Sequence, residues 1–218
     1  MKKQFVVIGL GRFGSSVCKE LYKLGHEVLA IDKKEEKVSE MIKHSTHAVI
    51  ANATDEKALL SLGVRNFEHV IVAIGDDIQS SILCTLVLKE MGIEKVWVKA
   101  QNHYHHRVLE KIGADRIVHP EKDMGIRIAQ HLVSEKIIDY IELSDEHSIV
   151  ELIATDLVAN KSLIQLDVRA KYGCTILAIK RGEEVNISPF PDDIILKNDV
   201  LIVIGHKNDL KRFEDEGL

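Results

Sequence analysis

Three glycines near the start of the chain, Gly9, Gly11 and Gly14, have the spacing Gly-x-Gly-x-x-Gly. They follow a short apolar run and open an amphipathic segment, and Asp32 ends the next apolar run. In this context the first glycine permits a tight turn, the second lets a phosphate approach the backbone, and the third lets a helix pack on a strand. The helix start offers N–H groups to phosphates, and Asp32 can accept a hydrogen bond from a ribose hydroxyl and would repel a 2′-phosphate. The pattern predicts a nucleotide site that disfavours NADP; the alternative is a glycine-rich turn without a ligand.

Two charged residues bear on the kind of nucleotide. Arg12 lies inside the glycine loop, where a fixed cation could bind a phosphate beyond those held by the backbone. That would favour a nucleotide with an exposed terminal phosphate over NAD, unless Arg12 is a surface arginine paired with an acid. Glu121 follows Pro120 in the first turn of a predicted helix. There it either compensates the helix dipole or holds a divalent cation beside a phosphate, and the residues alone leave both possibilities open.

The scaffold for these residues is an alternation of apolar runs and amphipathic segments over the first 120 residues. It predicts strands at residues 5–8, 27–32, 47–51, 69–75, 95–100 and 115–118. Such alternation indicates an α/β fold, a Rossmann-like doubly wound parallel sheet with helices on both faces. Because parallel strands bind ligands at their carboxyl edge, the residues that follow the strands are further candidates. They are Asn52, Ala53, Thr54, Ile74, Gly75, Asp76, Lys99, Ala100 and Gln101, with Lys99 either pairing with a phosphate or simply solvated.

The chain changes character after this alternation. Pro120 opens a helix to about residue 133, and from residue 139 onward short strands dominate. We therefore predict three parts: a nucleotide-binding domain at 1–119, a crossover helix and linker at 120–138, and a small α+β domain at 139–218. One or two short helices are predicted in the last part, around residues 163–170 and 209–213.

Composition narrows the function further. The chain has 218 residues, 45% of them apolar, and a net charge of −5, which argues against a duplex-binding surface and against nucleic acid as a partner. Its three cysteines, Cys18, Cys84 and Cys174, are far apart and are expected to be apolar fillers in a reducing cytosol. No apolar stretch reaches the length of a membrane helix, so we expect a cytoplasmic protein.

Catalytic groups are not evident in the sequence. The C-terminal part shows no catalytic pair or nucleophile motif, and the histidines at 103, 105 and 106 are expected to be solvated surface residues. Nucleotide binding without chemistry indicates a sensor that is not an enzyme. The alternatives are an NAD(H)-linked oxidoreductase, which would need a substrate pocket, a redox-sensing regulator, or a purely structural scaffold.

Several segments together resemble one family. The chain is similar to the cytosolic regulatory subunits of Ktr potassium-uptake systems (KtrA/KtrC type), members of the RCK (regulator of K⁺ conductance) or TrkA-N/TrkA-C family. The resemblance spans essentially the whole chain and is most specific in the first 125 residues. It rests on residues 7–14, 51–55, 63–67, 99–102, 111–121 and 166–173.

The resemblance implies a non-enzymatic subunit that forms a homo-octameric ring on a dimeric integral-membrane potassium-translocating protein, at the cytoplasmic face of the cell membrane. ATP would favour the activated ring and ADP the inactive one. Arg12 would reach the ATP γ-phosphate from a neighbouring subunit, Asp32 would hold the ribose, and Glu121 would coordinate Mg²⁺ or Ca²⁺. The remaining implied site residues are Gly9, Gly11, Phe13, Gly14, Asn52, Ala53, Ile74, Gly75, Asp76, Lys99, Ala100, Gln101 and His105.

The resemblance also implies that the C-terminal domain, an RCK-C domain, pairs with its twin and binds the inhibitor cyclic di-AMP. The matching residues here are Ile164, Arg169, Ala178 and Pro191. An arginine beside apolar side chains at a two-fold interface suits a symmetric dinucleotide with two phosphates. The alternative is that Ile164 and Ala178 belong to the core and Pro191 to a turn.

Overall fold

A computed structural model describes residues 2–133 and 137–218 of the chain. By internal contacts these form two compact units, residues 1–122 and 123–218. The domain limits predicted from the sequence remain predictions, and residues 134–136 of the predicted linker lie outside the described residues. No described helix combines the length and the apolar character needed to cross a membrane.

The first unit contains a six-stranded sheet in which every neighbouring pair is parallel. The strand order is β3-β2-β1-β4-β5-β6, so the order reverses between β1 and β4, and the predicted Rossmann-like fold is confirmed. The strands are β1 (Gln4–Ile8), β2 (Glu27–Asp32), β3 (His47–Ile50), β4 (His69–Val72), β5 (Lys95–Lys99) and β6 (Arg116–Val118). The helices are α1 (Arg12–Lys23), α2 (Glu35–Met41), α3 (Glu56–Ser61), α4 (Ile78–Glu90) and α5 (His103–Ile112), with 3₁₀ turns at Ile42–His44 and Val64–Asn66.

Alternating side chains of the strands build a core on each face of this sheet. Val6 and Ile8 of β1 pack into one cluster, which also contains Cys84. Val7, between them, packs into the other cluster together with Cys18. Because a strand buried on both faces needs apolar residues at consecutive positions, the run Val6–Ile8 identifies β1 as a central strand. Burial raises the pKa of the Cys18 thiol to about 11 and that of Cys84 to about 12.

Close backbone contacts require glycine at two positions, Gly9 in the loop after β1 and Gly14 in the first turn of α1. Gly9 has φ +89°, and a Cβ there would lie 2.9 Å from the backbone of Ala73 and Ile74 at the end of β4. A Cβ on Gly14 would lie 1.9 Å from the carbonyl oxygen of Gly9. Any side chain at Gly14 would therefore push α1 away from β1.

The second unit contains a five-stranded antiparallel sheet of order β10-β9-β11-β8-β7. The helix predicted from Pro120 to about residue 133 is α6 (Pro120–Val133), and the division between the two units falls within it. The strands are β7 (Ile137–Glu142), β8 (His147–Ile153), β9 (Thr175–Arg181), β10 (Glu184–Asn186) and β11 (Val200–His206). The short helices are α7 (Leu163–Leu166), α8 (Val168–Tyr172) and α9 (Lys207–Arg212), followed by a π-helical turn at Phe213–Gly217.

Two features of the second unit differ from the sequence expectation. Strand β7 falls where the sequence analysis placed a linker and the start of the small domain. The helix expected at 163–170 is broken at Asp167, whose left-handed φ of 47° ends α7 and begins α8. Ser162 and Gln165 form a capping box at the start of α7, so the first of the two short helices has its own N-terminal signal.

An ion pair between the half-exposed Arg181 and the buried Asp199 ties β9 to the residue before β11. The Asp199 side chain is 2% exposed and accepts hydrogen bonds from Arg181 Nε at 2.9 Å and Nη2 at 2.7 Å, and from the Leu196 amide at 2.8 Å. Burial alone would raise the pKa of Asp199, but the hydrogen bonds from Arg181 and Leu196 bring it below the ordinary value. Asp199 is therefore buried as a carboxylate with its oxygens satisfied.

Candidate nucleotide site

A cavity of about 380 Å³ opens at the carboxyl edge of the parallel sheet, in the first unit. Its volume is typical of a small-molecule site. It lies where the strand order reverses, since residues that follow both β1 and β4 line it. Thirteen of the residues singled out from the sequence line this cavity: Gly9, Gly11, Arg12, Phe13, Asp32, Asn52, Ala53, Thr54, Ile74, Gly75, Asp76, Lys99 and Glu121.

Four of the implied residues are not part of the cavity lining: Gly14, Ala100, Gln101 and His105. Gly14 serves the contact of α1 with the Gly9 carbonyl. Ala100 is 2% exposed and belongs to the core of the sheet. The structure therefore brings the glycine loop and the first residues after most strands together, and it leaves the start of α5 outside the cavity.

The glycine loop and Asp32 hold each other in place. Asp32 Oδ2 accepts a 2.7 Å hydrogen bond from the Leu10 amide, and Oδ1 accepts a 2.9 Å hydrogen bond from the Lys34 amide. The side chain of Asp32 is 8% exposed, yet it still borders the cavity. Because each carboxylate oxygen can accept two hydrogen bonds, Asp32 can fix the loop and still accept one from a ribose hydroxyl.

The start of α1 faces the same cavity. Its N-cap is Gly11, which has no side chain to occupy the first amides of the helix. Arg12, the first residue of the helix, is exposed and lines the cavity. The free amides and the helix dipole make this end of α1 suitable for an anion.

Three lysines that follow Asp32 also line the cavity, and the sequence analysis missed them. Lys37 Nζ lies 3.9 Å from Asp32 Oδ2, and Lys33 Nζ lies 3.9 Å from Asp77 Oδ2. With Lys34 they bring the lining to five cations and four carboxylates. Their run directly after the acid that ends β2 was the available signal, because that position borders the ribose in doubly wound folds.

Lys99 and Glu121 form an ion pair across the cavity edge. The Lys99 side chain is 13% exposed and donates a hydrogen bond to the Glu121 carboxylate, which is 67% exposed. That hydrogen bond is the main reason why the pKa of Glu121 lies below its ordinary value; the helix backbone and the charge of Arg12 add to it. Glu121 is therefore a fully ionised oxygen ligand at neutral pH.

Glu121 fits a divalent cation only in company with a ligand. Among the described residues no group of three or more histidine, cysteine or carboxylate side chains is arranged to hold a metal ion. A single carboxylate that borders a phosphate-sized space is nevertheless a common arrangement for Mg²⁺, which keeps several waters and takes its other ligands from nucleotide phosphates. The donor chemistry therefore suits a hard cation that arrives with a nucleotide.

His105 does not match the expectation of a solvated histidine. Its side chain is 2% exposed, and its Nδ1 accepts a 3.3 Å hydrogen bond from the Gln101 amide. Burial, and then the charge of His119, lower the pKa of His105. His105 and Leu109 are the buried residues of α5, so His105 lies on the face of this helix that packs inward.

The four cyclic di-AMP candidates lie in the second unit in two settings. Ile164 is exposed and its amide donates a 2.9 Å hydrogen bond to the carbonyl of Pro191, which is also exposed. Arg169, on α8, is exposed as well. Ala178, on β9, is 6% exposed and lies opposite Ile202 of β11.

Comparison with known proteins places these features in context. The TrkA-N domain model matches residues 5–120 and the TrkA-C domain model matches residues 147–216. Ktr system potassium uptake protein A of Bacillus subtilis (strain 168) is 65% identical over 99% of this chain and 97% of its own length. Protein C of the same system and organism is 58% identical over 98% of this chain and 97% of its own length.

One solved structure shows the same fold. The RCK domain of GsuK is similar with a TM-score of 0.55 and 22% identity, over 98% of this chain and 46% of that chain. The RCK C domain of a KtrA protein, solved in complex with cyclic di-AMP, is 50% identical over 40% of this chain and 93% of that chain, with a TM-score of 0.32.

Proposed function

Since this chain belongs to the TrkA-N/TrkA-C family, we propose that it gates potassium uptake by sensing ATP and ADP. It is a non-enzymatic regulatory subunit of the Ktr potassium-uptake type, and such a subunit works with a Ktr membrane component. ATP, together with a divalent cation, activates a homo-octameric ring that docks on a dimeric membrane pore protein at the cytoplasmic face of the membrane. ADP in the same cavity leaves the ring inactive.

The observation that carries this proposal is that Glu121 borders the cavity of the glycine loop, while Arg12 lies exposed beside the same cavity, where it can reach the nucleotide of an adjacent copy. The loop amides would bind the phosphates that ATP and ADP share. The guanidinium of Arg12, and a divalent cation held by Glu121, would bind the terminal phosphate that only ATP carries. A ligand shifts a two-state assembly only by its differential affinity for the two states. Charge-assisted contacts of about 1.5–3 kcal/mol each, repeated around a ring, supply such a difference.

Within the site, Asp32 would bind the ribose and Arg12 the terminal phosphate of a nucleotide in a neighbouring subunit. Glu121 would hold Mg²⁺ or Ca²⁺, and the cation would neutralise the charge of the phosphates. Asn52, Ala53, Ile74, Gly75 and Asp76 border the same space and would contact the nucleoside and sugar.

The second unit would respond to a second ligand. We propose that cyclic di-AMP binds between the C-terminal units of two copies and inhibits uptake. The exposed Arg169 would meet a phosphate, and the exposed pair Ile164 and Pro191 would cover the base. Ala178, a small residue of β9, would border the same ligand.

Calorimetry on the full chain tests the nucleotide proposal. ATP, ADP, NAD⁺ and NADH are titrated with and without Mg²⁺ or Ca²⁺. We expect preference for ATP and ADP, with only ATP strongly strengthened by the cation. Preference for NAD⁺ or NADH would contradict the proposal and favour a redox-sensing regulator.

The variant Arg12→Ala tests the role of the loop cation. We expect ADP binding to be retained and ATP binding to fall about tenfold, a loss of about 1.4 kcal/mol, with loss of ATP-dependent K⁺ flux in vesicles that contain the membrane component. Arg65→Ala, at an exposed arginine of a 3₁₀ turn outside the cavity, makes the same change of charge and serves as the control. Normal ATP activation of the Arg12 variant would contradict the assigned role.

A further inference from the structure

The ammonium of Lys99 is held at the mouth of the nucleotide cavity by several neighbours. It pairs with the Glu121 carboxylate, and it lies 6.0 Å from the centroid of the Phe13 ring. A Cβ on Gly75 would lie 3.5 Å from Lys99 Nζ, so the ammonium is also close to the loop after β4. Lys99 therefore occupies the space between the glycine loop, the end of β4 and the start of α6.

This pairing places Lys99 and the divalent cation in competition. The carboxylate that would receive the cation in the proposed function already has a positive partner supplied by its own chain. An ammonium and a divalent cation bound to the same carboxylate repel each other. Among the described residues, no group of three or more histidine, cysteine or carboxylate side chains is placed to offset this repulsion by binding the cation. The cation must therefore displace Lys99 or accept a weakened ligand.

We propose that Lys99 is an internal counter-ion of Glu121 that excludes the divalent cation until a terminal phosphate draws the ammonium away. This inference rests on the proposed function, because it assumes that nucleotide and cation share the cavity. A lysine is suited to such an exchange, because its ammonium is a point charge on a flexible stem and binds phosphate as readily as carboxylate. Lys99 would thereby make cation binding depend on which nucleotide is present.

Other cations of the cavity do not fit this role. Lys37 Nζ is directed at Asp32, and Lys33 Nζ is directed at Asp77. Arg12 acts on Glu121 through its charge, but the hydrogen bond to Glu121 comes from Lys99. Lys99 is therefore the cation whose partner changes when Glu121 takes a metal ion.

The experiment measures Mn²⁺ affinity by electron paramagnetic resonance on the full chain, loaded with ATP or ADP and desalted to remove free nucleotide. Lys99→Met removes the charge and keeps an apolar stem against Phe13, whereas Lys99→Arg keeps the charge. In the ADP-loaded protein we expect Lys99→Met to bind Mn²⁺ about fivefold more tightly than the wild type, and Lys99→Arg to stay within about twofold. The ratio of the Mn²⁺ affinities with ATP and ADP should shrink in Lys99→Met.

The same measurement in a Glu121→Gln background separates competition from a general charge effect. There, Lys99→Met should leave the remaining Mn²⁺ affinity unchanged. Two results would overturn the inference and leave the proposed function intact. One is an equal increase in Mn²⁺ affinity on Lys99→Met in the Glu121→Gln background; the other is no increase in the ADP-loaded protein that keeps Glu121. If instead Mn²⁺ binding to the wild type were independent of Glu121 with both nucleotides, the proposed function itself would fail, and the inference with it.

Folding of the variants is checked by circular dichroism and by the stoichiometry of ADP binding. If Lys99→Met does not fold, Lys99→Gln makes the same change of charge with a polar stem, and the same outcomes decide the question.

Discussion

Replacing Asp32 by alanine tests whether one carboxylate both fixes the glycine loop and binds the nucleotide. The substitution removes the acceptor of the Leu10 amide, at 2.7 Å, and of the Lys34 amide, at 2.9 Å. Leu10 is 4% exposed, so its amide is left without a partner in a buried setting, whereas Lys34 is exposed and its amide can turn to water. A buried donor without an acceptor costs about 1–3 kcal/mol, so we expect a loss of about 2 kcal/mol in the free energy of unfolding of the first unit.

The assay is urea unfolding followed by the fluorescence of Trp97, the single tryptophan of the chain, which lies on β5 in the first unit. Asp76→Ala is the matched control, because it removes a carboxylate from the same cavity at an exposed position. We expect that control to change the free energy by less than about 0.5 kcal/mol. Stabilisation by added ADP should also fall in Asp32→Ala, since a lost charge-assisted hydrogen bond weakens binding about tenfold.

The result that would refute this reasoning is an Asp32→Ala protein with the stability of the wild type. It would mean that the Leu10 amide finds another acceptor and that the loop does not depend on Asp32. Normal stability together with reduced stabilisation by ADP would restrict the role of Asp32 to the ligand. Reduced stability with unchanged ADP binding would restrict it to the fold.

Two further predictions concern buried titratable groups. Asp199→Ala should destabilise the second unit by about 1–2 kcal/mol, because the Leu196 amide loses its acceptor and the half-exposed Arg181 loses two hydrogen bonds. The loss is read as faster hydrogen exchange of β9 and β11. Asp156→Ala, at an exposed carboxylate paired with Lys197, is the control and should change little. The pKa of His105 is lower in the folded protein, so the unfolded chain takes up a proton at this residue at a higher pH than the folded chain does. The free energy of unfolding should therefore fall as the pH drops below about 6.5, by at most about 1.4 kcal/mol per pH unit. His105→Gln should make this dependence on pH less steep. An unchanged slope in the His105 variant would contradict the second prediction.

Much of the first unit could be predicted because its local signals agree with its tertiary contacts. Strands β1 to β5 each end at a residue of the cavity or one residue before it, and parallel strands end at the same edge of a sheet. For that reason Asp32, Gly75 and Lys99, far apart in the sequence, could be assigned to one site before any coordinates were considered. The glycine spacing then distinguished this edge from an ordinary strand-to-helix connection.

The parts that were missed depend on contacts that have no periodic signal. Strand β7 follows α6 and carries charged residues at positions such as Asp139 and Glu142, so its sequence resembles a linker. The burial of His105 follows from how α5 rotates against the sheet, and a single polar residue on an amphipathic helix does not reveal that rotation. The break at Asp167 depends on a left-handed conformation that aspartate tolerates but does not require.

The pairing of charges in the cavity explains how two nucleotides of similar shape can have different effects. Lys37 faces Asp32, Lys33 faces Asp77 and Lys99 faces Glu121, so most of the cations already have a carboxylate partner. A phosphate that enters the cavity must therefore take a lysine away from its carboxylate partner. Its net binding free energy is small unless the freed carboxylate can bind another ligand. Under the proposed function a terminal phosphate does this at one place, because drawing Lys99 away frees Glu121 for a divalent cation. The two events then favour each other, since binding of either ligand raises the affinity for the other by the same factor. ADP, which lacks that phosphate, would leave the pair closed and the cation site weak.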